Sequence, residues 1–171
     1  MLNHAFFKGL LFFGAGSVIN ATDTRDIDKL GGLIKYLPVT AFTFFIGSIA
    51  ISGIPPLNGF ISEFLIYSGA FNGLTHFLSW EIIPFIIAII SLAAIGGLAL
   101  ACFTKVFWIV FLGEPRHNNT VKIKESPKPI LYPMIFLSIL CLIIGICSVF
   151  VIPYTAGLIA VITGLEVSLK H

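Results

Sequence analysis

The segment ISGIPPLNGFISEF (residues 51–64) decides how this chain folds, because it interrupts a long apolar run over residues 38–71. One straight helix over that run would be about 51 Å long at 1.5 Å per residue, well beyond the roughly 30 Å apolar core of a bilayer. Four residues in the segment disfavour a continuous helix, through a missing N–H group or a flexible backbone: Pro55, Pro56, Gly53 and Gly59. The sequence therefore predicts a helix that ends near Ser52 and resumes near Asn58.

A broken helix leaves some backbone groups without partners inside the helix. We expect the carbonyl groups of about residues 50–54 to lack i+4 donors, and such groups are tolerated at membrane depth only beside protein or water. The break should therefore face the protein interior. The alternative is a tight re-entrant turn between two short membrane segments.

The composition places the chain in a membrane. Of its 171 residues, 57% are hydrophobic and 11% are charged, whereas a soluble domain carries about 25% charged residues. Mean hydropathy is +1.03, and a soluble domain of this size cannot bury that much apolar surface. Four apolar runs are predicted to form the helical passes: 1–20, 38–71, 82–112 and 130–163. The expected fold class is therefore an all-α, polytopic membrane helix bundle, a single membrane domain of about four transmembrane passes.

Weaker interruptions are expected at Gly96-Gly97 in the third run and at Pro153 in the fourth. An alternative interpretation of the start treats residues 1–8 and 9–19 as the charged and apolar regions of a signal peptide. The bulky Ile19 argues against it, because cleavage needs a small residue there.

The basic residues predict the orientation in the membrane. Two polar connections, 21–37 and 113–129, hold seven of the ten Lys and Arg residues, whereas the connection 72–81 holds none. In a four-pass chain the two basic connections lie on the same side. The positive-inside rule places that side in the cytoplasm of a cell (inner) membrane.

Four titratable residues fall inside the apolar runs, where a charged group costs roughly 2.5–3.5 kcal/mol: His4, Lys8, Glu63 and Lys105. His4 and Lys8 are four residues apart and share one helix face. Glu63 follows the break and is too short to reach the membrane surface, so we interpret it as a functional proton carrier. For Lys8 and Lys105 the alternative is that the long side chain reaches the membrane surface.

A Lys, a His one turn away and a Glu at a helix break are the components of a proton relay, because each holds and releases a proton. The sequence contains no phosphate loop, no nucleophile beside a base and no metal-ligand spacing, so we assign no catalytic residue, metal or cofactor. Three cysteines in apolar runs without CxxC spacing are interpreted as small buried hydrophobic residues: Cys102, Cys141 and Cys147.

Two segments, HAFFKGLLFFGAGSVINATDTRDIDKLGGL (4–33) and ISGIPPLNGFISEFLIYSGAF (51–71), carry a resemblance to a known family. The chain resembles the antiporter-like, proton-conducting membrane subunits of respiratory complex I, cation/proton antiporter complexes and membrane-bound hydrogenases. The segment LACFTKVFWIVFLGEPR (100–116) is most similar to the large membrane subunit of formate hydrogenlyase-type hydrogenases.

The resemblance implies a role for three of the titratable residues. Family members have about fourteen helices, and this sequence matches roughly the last four, the C-terminal third. Lys8 resembles the family's buried relay lysine, with His4 as its helical neighbour. Glu63 resembles the charged residue of the next broken helix, which is Lys in some members. The family's first half-channel has no counterpart in this sequence.

The resemblance also implies a function. The chain would be the C-terminal part of a proton-translocating subunit of a redox-driven complex, of the hydrogenase or NADH-quinone oxidoreductase type. Other membrane and peripheral subunits would carry the redox centres, and the remaining expected partners are the lipid bilayer and protons, with no nucleic acid. The alternatives are a non-conducting truncated remnant and a cation/proton antiporter subunit.

Overall fold

The structure, a computed structural model, describes residues 1–76, 79–116 and 123–163. Its main elements are five α-helices: α1 (Leu2–Thr22), α2 (Pro38–Ile51), α3 (Asn58–His76), α4 (Ile83–Phe107) and α5 (Lys128–Thr163). A π-helical turn over Trp108–Leu112 extends α4, and the described residues contain no β-strand. The centre of the third connection and the tail after residue 163, on which part of the predicted topology depends, lie outside the described residues.

α1 and α2 pack closely and run antiparallel. Small residues make this approach possible, because a Cβ on Gly14 would lie 2.7 Å from the Phe44 ring and one on Gly47 would lie 3.1 Å from Leu11. At the polar end of the pair, the buried hydroxyl groups of Ser17 and Thr40 are 2.8 Å apart. α1 therefore covers α2 along its whole length.

α2 and α3 lie end to end along α4. Near the polar end of α4, the rings of Phe45 in α2 and Phe107 are 5.1 Å apart. Further along α4, Gly96 approaches Glu63 in α3, and the ring of Phe85 lies against Gly73. Because α4 meets first α3 and then α2 along one continuous helix, α2 and α3 form one broken pass. The alternative of a re-entrant turn is wrong.

α5 crosses the break on another side of α2 and α3. A Cβ on Gly9 of α1 would lie 3.7 Å from Leu137, whereas a Cβ on Gly145 would overlap the backbone of Pro56 and Leu57. Glycine at position 145 therefore lets α5 touch the loop that joins α2 to α3.

The predicted weaker break at Pro153 is wrong, because α5 is helical through that residue. A single proline removes one i→i−4 hydrogen bond, and long helical segments on both sides sustain the helix. At Pro55 and Pro56 two such bonds are lost in succession. The Gly96-Gly97 pair does not interrupt α4 either.

The helix lengths agree with the predicted four passes. Three helical segments are long and apolar enough to cross a membrane, namely Leu2–Thr22, Trp80–Leu112 and Lys128–Ser148, and α2 is a shorter apolar helix. The remaining pass is the broken one formed by α2 and α3. The bundle is therefore all-α, with the break inside its second pass.

The connections after α1 and α4 meet at one end of the bundle. Nη1 of Arg116 donates to the carbonyl oxygen of Asp28 at 3.2 Å, and Gly31 lies directly on the carbonyl of Glu114. Hydrogen bonds from the Lys29 ammonium and the Asp28 N–H hold the pKa of the Asp26 carboxyl below its ordinary value. The described parts of both basic connections thus lie at the same end of the bundle.

Candidate proton-relay site at the helix break

The break begins where α2 ends at Ile51 and the chain turns through Gly53, whose φ of +66° is a left-handed conformation. As predicted, the carbonyls of residues 50–54 receive no i+4 backbone hydrogen bond within the described residues, although two of them accept one in i+3 turns. Tight turns supply partners for the carbonyls of Ala50, which accepts from Gly53 N–H, and Ile54, which accepts from Leu57 N–H, both at 3.3 Å. Within the described part of the chain, the carbonyls of residues 51–53 receive no backbone hydrogen bond.

Glu63, in the second turn of α3, lies directly over this turn. A Cβ on Gly53 would be 2.6 Å from Cδ of Glu63, so a side chain at position 53 would overlap the carboxyl group where it now lies. The carboxyl also lies near Gly96 of α4, where a Cβ would be 3.9 Å from Oε2. Two glycines thus form the space that Glu63 occupies.

The interaction of the Glu63 carboxyl with the end of α2 depends on whether Glu63 is protonated. The unpaired carbonyls at the C-terminus of α2 carry partial negative charge and accept hydrogen bonds only. A protonated carboxyl donates a hydrogen bond to groups of this kind, whereas an ionised carboxylate is repelled by them. The Glu63 carboxyl thus lies at a turn where the partial charge of a helix end acts on it.

Lys8 is exposed on α1 and shares a groove with the last residue of α2. It lies on α1 in a groove of about 280 Å³ whose other lining residues come from α1, α2 and α4: Leu11, Phe12, Ala15, Phe44, Ile51 and Phe103. Ile51 is two residues before Gly53, the glycine against which Glu63 packs. Lys8 on α1 thus lies near Ile51, and Glu63 on α3 lies near Gly53, so both are close to the end of α2.

His4 and Lys105 do not line this groove. His4 is exposed near the start of α1, and its ring packs edge-on against Phe7 at a centroid distance of 5.1 Å. Lys105 is exposed in the last turn of α4. That position agrees with the alternative in which Lys105 reaches the polar end of the bundle.

Sequence reasoning missed a polar bridge between α1 and α3. Nδ2 of Asn3 donates to the carbonyl oxygen of Asn58 at 3.2 Å and to Oγ of Ser62 at 2.8 Å. Nδ2 of Asn58 donates in return to the carbonyl oxygen of Asn3 at 3.4 Å. The signal in the sequence is an Asn at the end of the Pro-Pro segment, but its partner 55 residues away could not be identified.

Sequence reasoning also missed a buried clasp at the polar end, formed by Ser17, Thr40, Glu125 and Ser126. Thr40 donates its hydroxyl to Oε1 of Glu125 at 2.6 Å, and Val39 N–H donates to Oε2 at 3.0 Å. Because the only hydroxyl proton of Thr40 is used, Ser17 donates to Thr40, and Ser126 donates to Ser17 at 2.6 Å. Glu125 thus caps the N-terminus of α2 and joins it to α1 and the start of α5.

The cysteines are all unpaired: Cys141 is buried, Cys147 is partly buried and Cys102 is exposed. Among the residues that the structure describes, no three His, Cys, Asp or Glu side chains converge. We therefore assign no residue set to a metal.

The comparison with known protein families identifies the family to which this chain belongs. A family model described as "NADH:quinone oxidoreductase/Mrp antiporter, TM" matches residues 1–90, which include α1, the break and Glu63. The chain belongs to this family. The predicted resemblance is thereby confirmed, and the helix break lies inside the part that family members share.

Relatives in the NADH:quinone oxidoreductase/Mrp antiporter family include membrane components of several complexes. Hydrogenase-4 component B of Escherichia coli is 42% identical over 155 residues, which cover 90% of this chain and 23% of the relative. Formate hydrogenlyase subunit 3 of the same organism is 37% identical, covering 90% of this chain and 25% of that protein. A probable K(+)/H(+) antiporter component of Rhizobium meliloti is 35% identical, and the match covers 85% of this chain and 14% of that protein.

A solved structure supports the fold. The Mrp complex from Dietzia sp. matches with a TM-score of 0.72 at 20% identity, covering 88% of this chain and 34% of that chain. This chain spans about a quarter of the length of its hydrogenase relatives. The matched part of the Mrp complex chain shares the fold described above.

Proposed function

We propose that this chain is the C-terminal part of a proton-translocating membrane subunit of a redox-driven complex, of the hydrogenase or NADH-quinone oxidoreductase type. The observation that carries the proposal is the position of the Glu63 carboxyl over the unpaired end of α2. A titratable group of this kind inside a membrane is costly and is best accounted for by transport.

The relay works through charge coupling between neighbouring sites. A proton on Lys8 makes that side of the break positive and favours an ionised Glu63, whereas loss of that proton favours a neutral Glu63. A neutral Glu63 is in turn able to donate to the free carbonyls of residues 51–53. His4, one turn from Lys8, is the proposed neighbour that exchanges protons with it. Lys105, at the polar end of α4, would contribute only through access to the aqueous side.

The proposed setting is a cell (inner) membrane with the connections 21–37 and 113–129 in the cytoplasm. Their excess of Lys and Arg supports this orientation. Redox chemistry belongs to other membrane and peripheral subunits, and this chain supplies proton-carrying groups without a cofactor. The similarity to Hydrogenase-4 component B and formate hydrogenlyase subunit 3 favours a hydrogenase complex.

A second candidate is a cation/proton antiporter subunit. The likeness to the K(+)/H(+) antiporter component of Rhizobium meliloti favours it. The two candidates share the relay but differ in the driving force, since the antiporter works without electron transfer. The third candidate, a non-conducting remnant, differs from both in moving no protons.

The test is proton uptake by inverted membrane vesicles that contain the complete complex, measured together with its electron-transfer rate. Glu63→Gln keeps the size and hydrogen bonding of the side chain but removes the proton, so proton uptake per electron should fall severely in an assembled complex. Glu63→Asp should retain part of the uptake. Glu81→Gln, at an exposed carboxyl outside the break, is the matched control and should behave as wild type.

Normal uptake in an assembled Glu63→Gln complex would contradict the relay. Proton exchange for K⁺ or Na⁺ without any redox substrate would favour the antiporter. No proton movement in the wild-type complex would favour the remnant.

A further inference from the structure

The break contains a buried polar atom that the relay described above does not use. Asn58, the first residue of α3, is 0% exposed. Its Nδ2 donates to the carbonyl oxygen of Asn3, and its side chain lies beside the Cys141 thiol of α5. Its Oδ1 accepts no hydrogen bond from any residue that the structure describes.

A rotation of the Asn58 side-chain amide by 180° would not give its buried polar atoms better partners. Exchange of Oδ1 and Nδ2 would place an acceptor 3.4 Å from the carbonyl oxygen of Asn3, so two acceptors would face each other. The present orientation is therefore the better one, and the unpartnered atom is the oxygen. Buried side-chain amides in native proteins are almost always satisfied by protein or by ordered water.

The loop that leads into Asn58 and the first turn of α3 contain further polar groups without backbone partners. α3 begins at this residue, so the N–H groups of its first turn have no acceptor inside the helix. The carbonyls of residues 51–53, at the end of α2, receive no backbone hydrogen bond within the described ranges. A buried water makes two to four hydrogen bonds, and the break supplies donors and acceptors of both kinds.

We propose that Oδ1 of Asn58 binds an ordered water molecule inside the break. The site joins three elements, because Asn58 contacts α1 through Asn3, α5 through Cys141 and, as the first residue of α3, leads to Ser62 and Glu63 one turn later. The water site follows from the geometry of Asn58, whereas its part in proton transfer rests on the proposed function of Glu63. Asn58 is then a positioning residue that hydrates the approach to Glu63.

The first test is a density map of the complete wild-type complex at a resolution that shows ordered water. We expect a peak within hydrogen-bonding distance of Asn58 Oδ1, about 2.7–3.2 Å. A map in which Oδ1 instead meets the Cys141 thiol or another protein donor, with no water, would overturn the proposal. This result does not depend on whether the complex pumps protons.

The second test is proton uptake per electron in Asn58→Leu, which keeps the side-chain size but cannot bind water. We expect at least a severalfold loss, with partial uptake in Asn58→Ser, whose hydroxyl retains a water partner. Asn72→Leu, at an exposed Asn on the same helix, is the matched control and should behave as wild type. Wild-type uptake in Asn58→Leu would overturn the role of the water in proton transfer.

The two proposals fail in different ways. A water on Asn58 together with normal pumping by Glu63→Gln would keep the water site and remove the relay. If Asn58→Leu does not assemble, Asn58→Ser and the wild-type map decide the question. A dry site in the map overturns the water site even where Glu63→Gln abolishes uptake.

Discussion

Replacement of Gly53 by Ala should damage both the stability and the proton transfer of the subunit. Gly53 has φ +66°, a conformation that costs an L-residue roughly 1–2 kcal/mol. The added Cβ would also lie 2.6 Å from Cδ and 2.7 Å from Oε1 of Glu63. Overpacking of this kind costs typically about 1–3 kcal/mol, less where a flexible side chain moves away.

The two contributions give a loss of about 2–5 kcal/mol in the free energy of unfolding, at the lower end if the Glu63 side chain moves away. Relief of the overlap requires the Glu63 carboxyl to leave the end of α2, so proton uptake per electron should fall as well. The assays are thermal unfolding of the purified complex in detergent and proton uptake in vesicles. Gly69→Ala is the control, because a Cβ on that α3 glycine meets nothing within 4 Å.

A third variant separates strain from overlap. Asn adopts the left-handed conformation more readily than Ala, so Gly53→Asn should reduce the backbone cost but still displace Glu63. We therefore expect it to unfold at a higher temperature than Gly53→Ala while pumping equally poorly. If Gly53→Ala matched Gly69→Ala in both assays, the assigned contact between Gly53 and Glu63 would be refuted.

Three further predictions concern the polar clasp, the packing of α5 and the orientation in the membrane. Ser17→Ala should lower the free energy of unfolding by about 1–3 kcal/mol, because the hydroxyl oxygen of Thr40 loses the hydrogen bond that it accepts from Ser17. The control is Thr75→Val, which removes an exposed hydroxyl bonded only to the Asn72 carbonyl. Thermal unfolding of this control should be close to that of wild type. Gly145→Ala should separate α5 from the break, because the added Cβ overlaps the carbonyl of Pro56. Native gels should then show reduced assembly of the complex. Unchanged assembly and unchanged proton uptake would contradict the packing of α5 against the break. In a background free of native cysteines, a Cys at position 75 should react with a membrane-impermeant thiol reagent added outside the cell, and a Cys at position 35 should not. The reverse labelling pattern would contradict the proposed topology.

The sequence was sufficient to predict the helix break and its flanking helix ends, because prolines and glycines act on the local backbone. The membrane class and the number of passes could also be predicted, because they depend on the length and apolarity of each segment. The prediction failed at Pro153, where a proline inside a long apolar helix does not end it. Local chemistry alone does not distinguish a tolerated proline from a break.

The side-chain contacts at the site depended on tertiary structure. Glu63 was identifiable as an isolated carboxyl in an apolar segment, but its contact with Gly53 depends on how α3 meets α2. The clasp of Ser17, Thr40 and Glu125 joins three segments far apart in sequence, and each residue alone resembles an ordinary interfacial polar group. The unpartnered oxygen of Asn58 became visible only when Asn3 and α5 were placed around it.

The most direct measurement of the central claim is the reaction-induced infrared difference spectrum of the complete complex, recorded for wild type and Glu63→Gln. If Glu63 takes up and releases a proton during turnover, the wild-type spectrum contains a carboxylic C=O band that shifts in D₂O. That band should be missing from the Glu63→Gln spectrum and shifted in Glu63→Asp. Identical carboxyl regions in wild type and Glu63→Gln, from complexes that turn over, would show that Glu63 does not change protonation and would contradict the account.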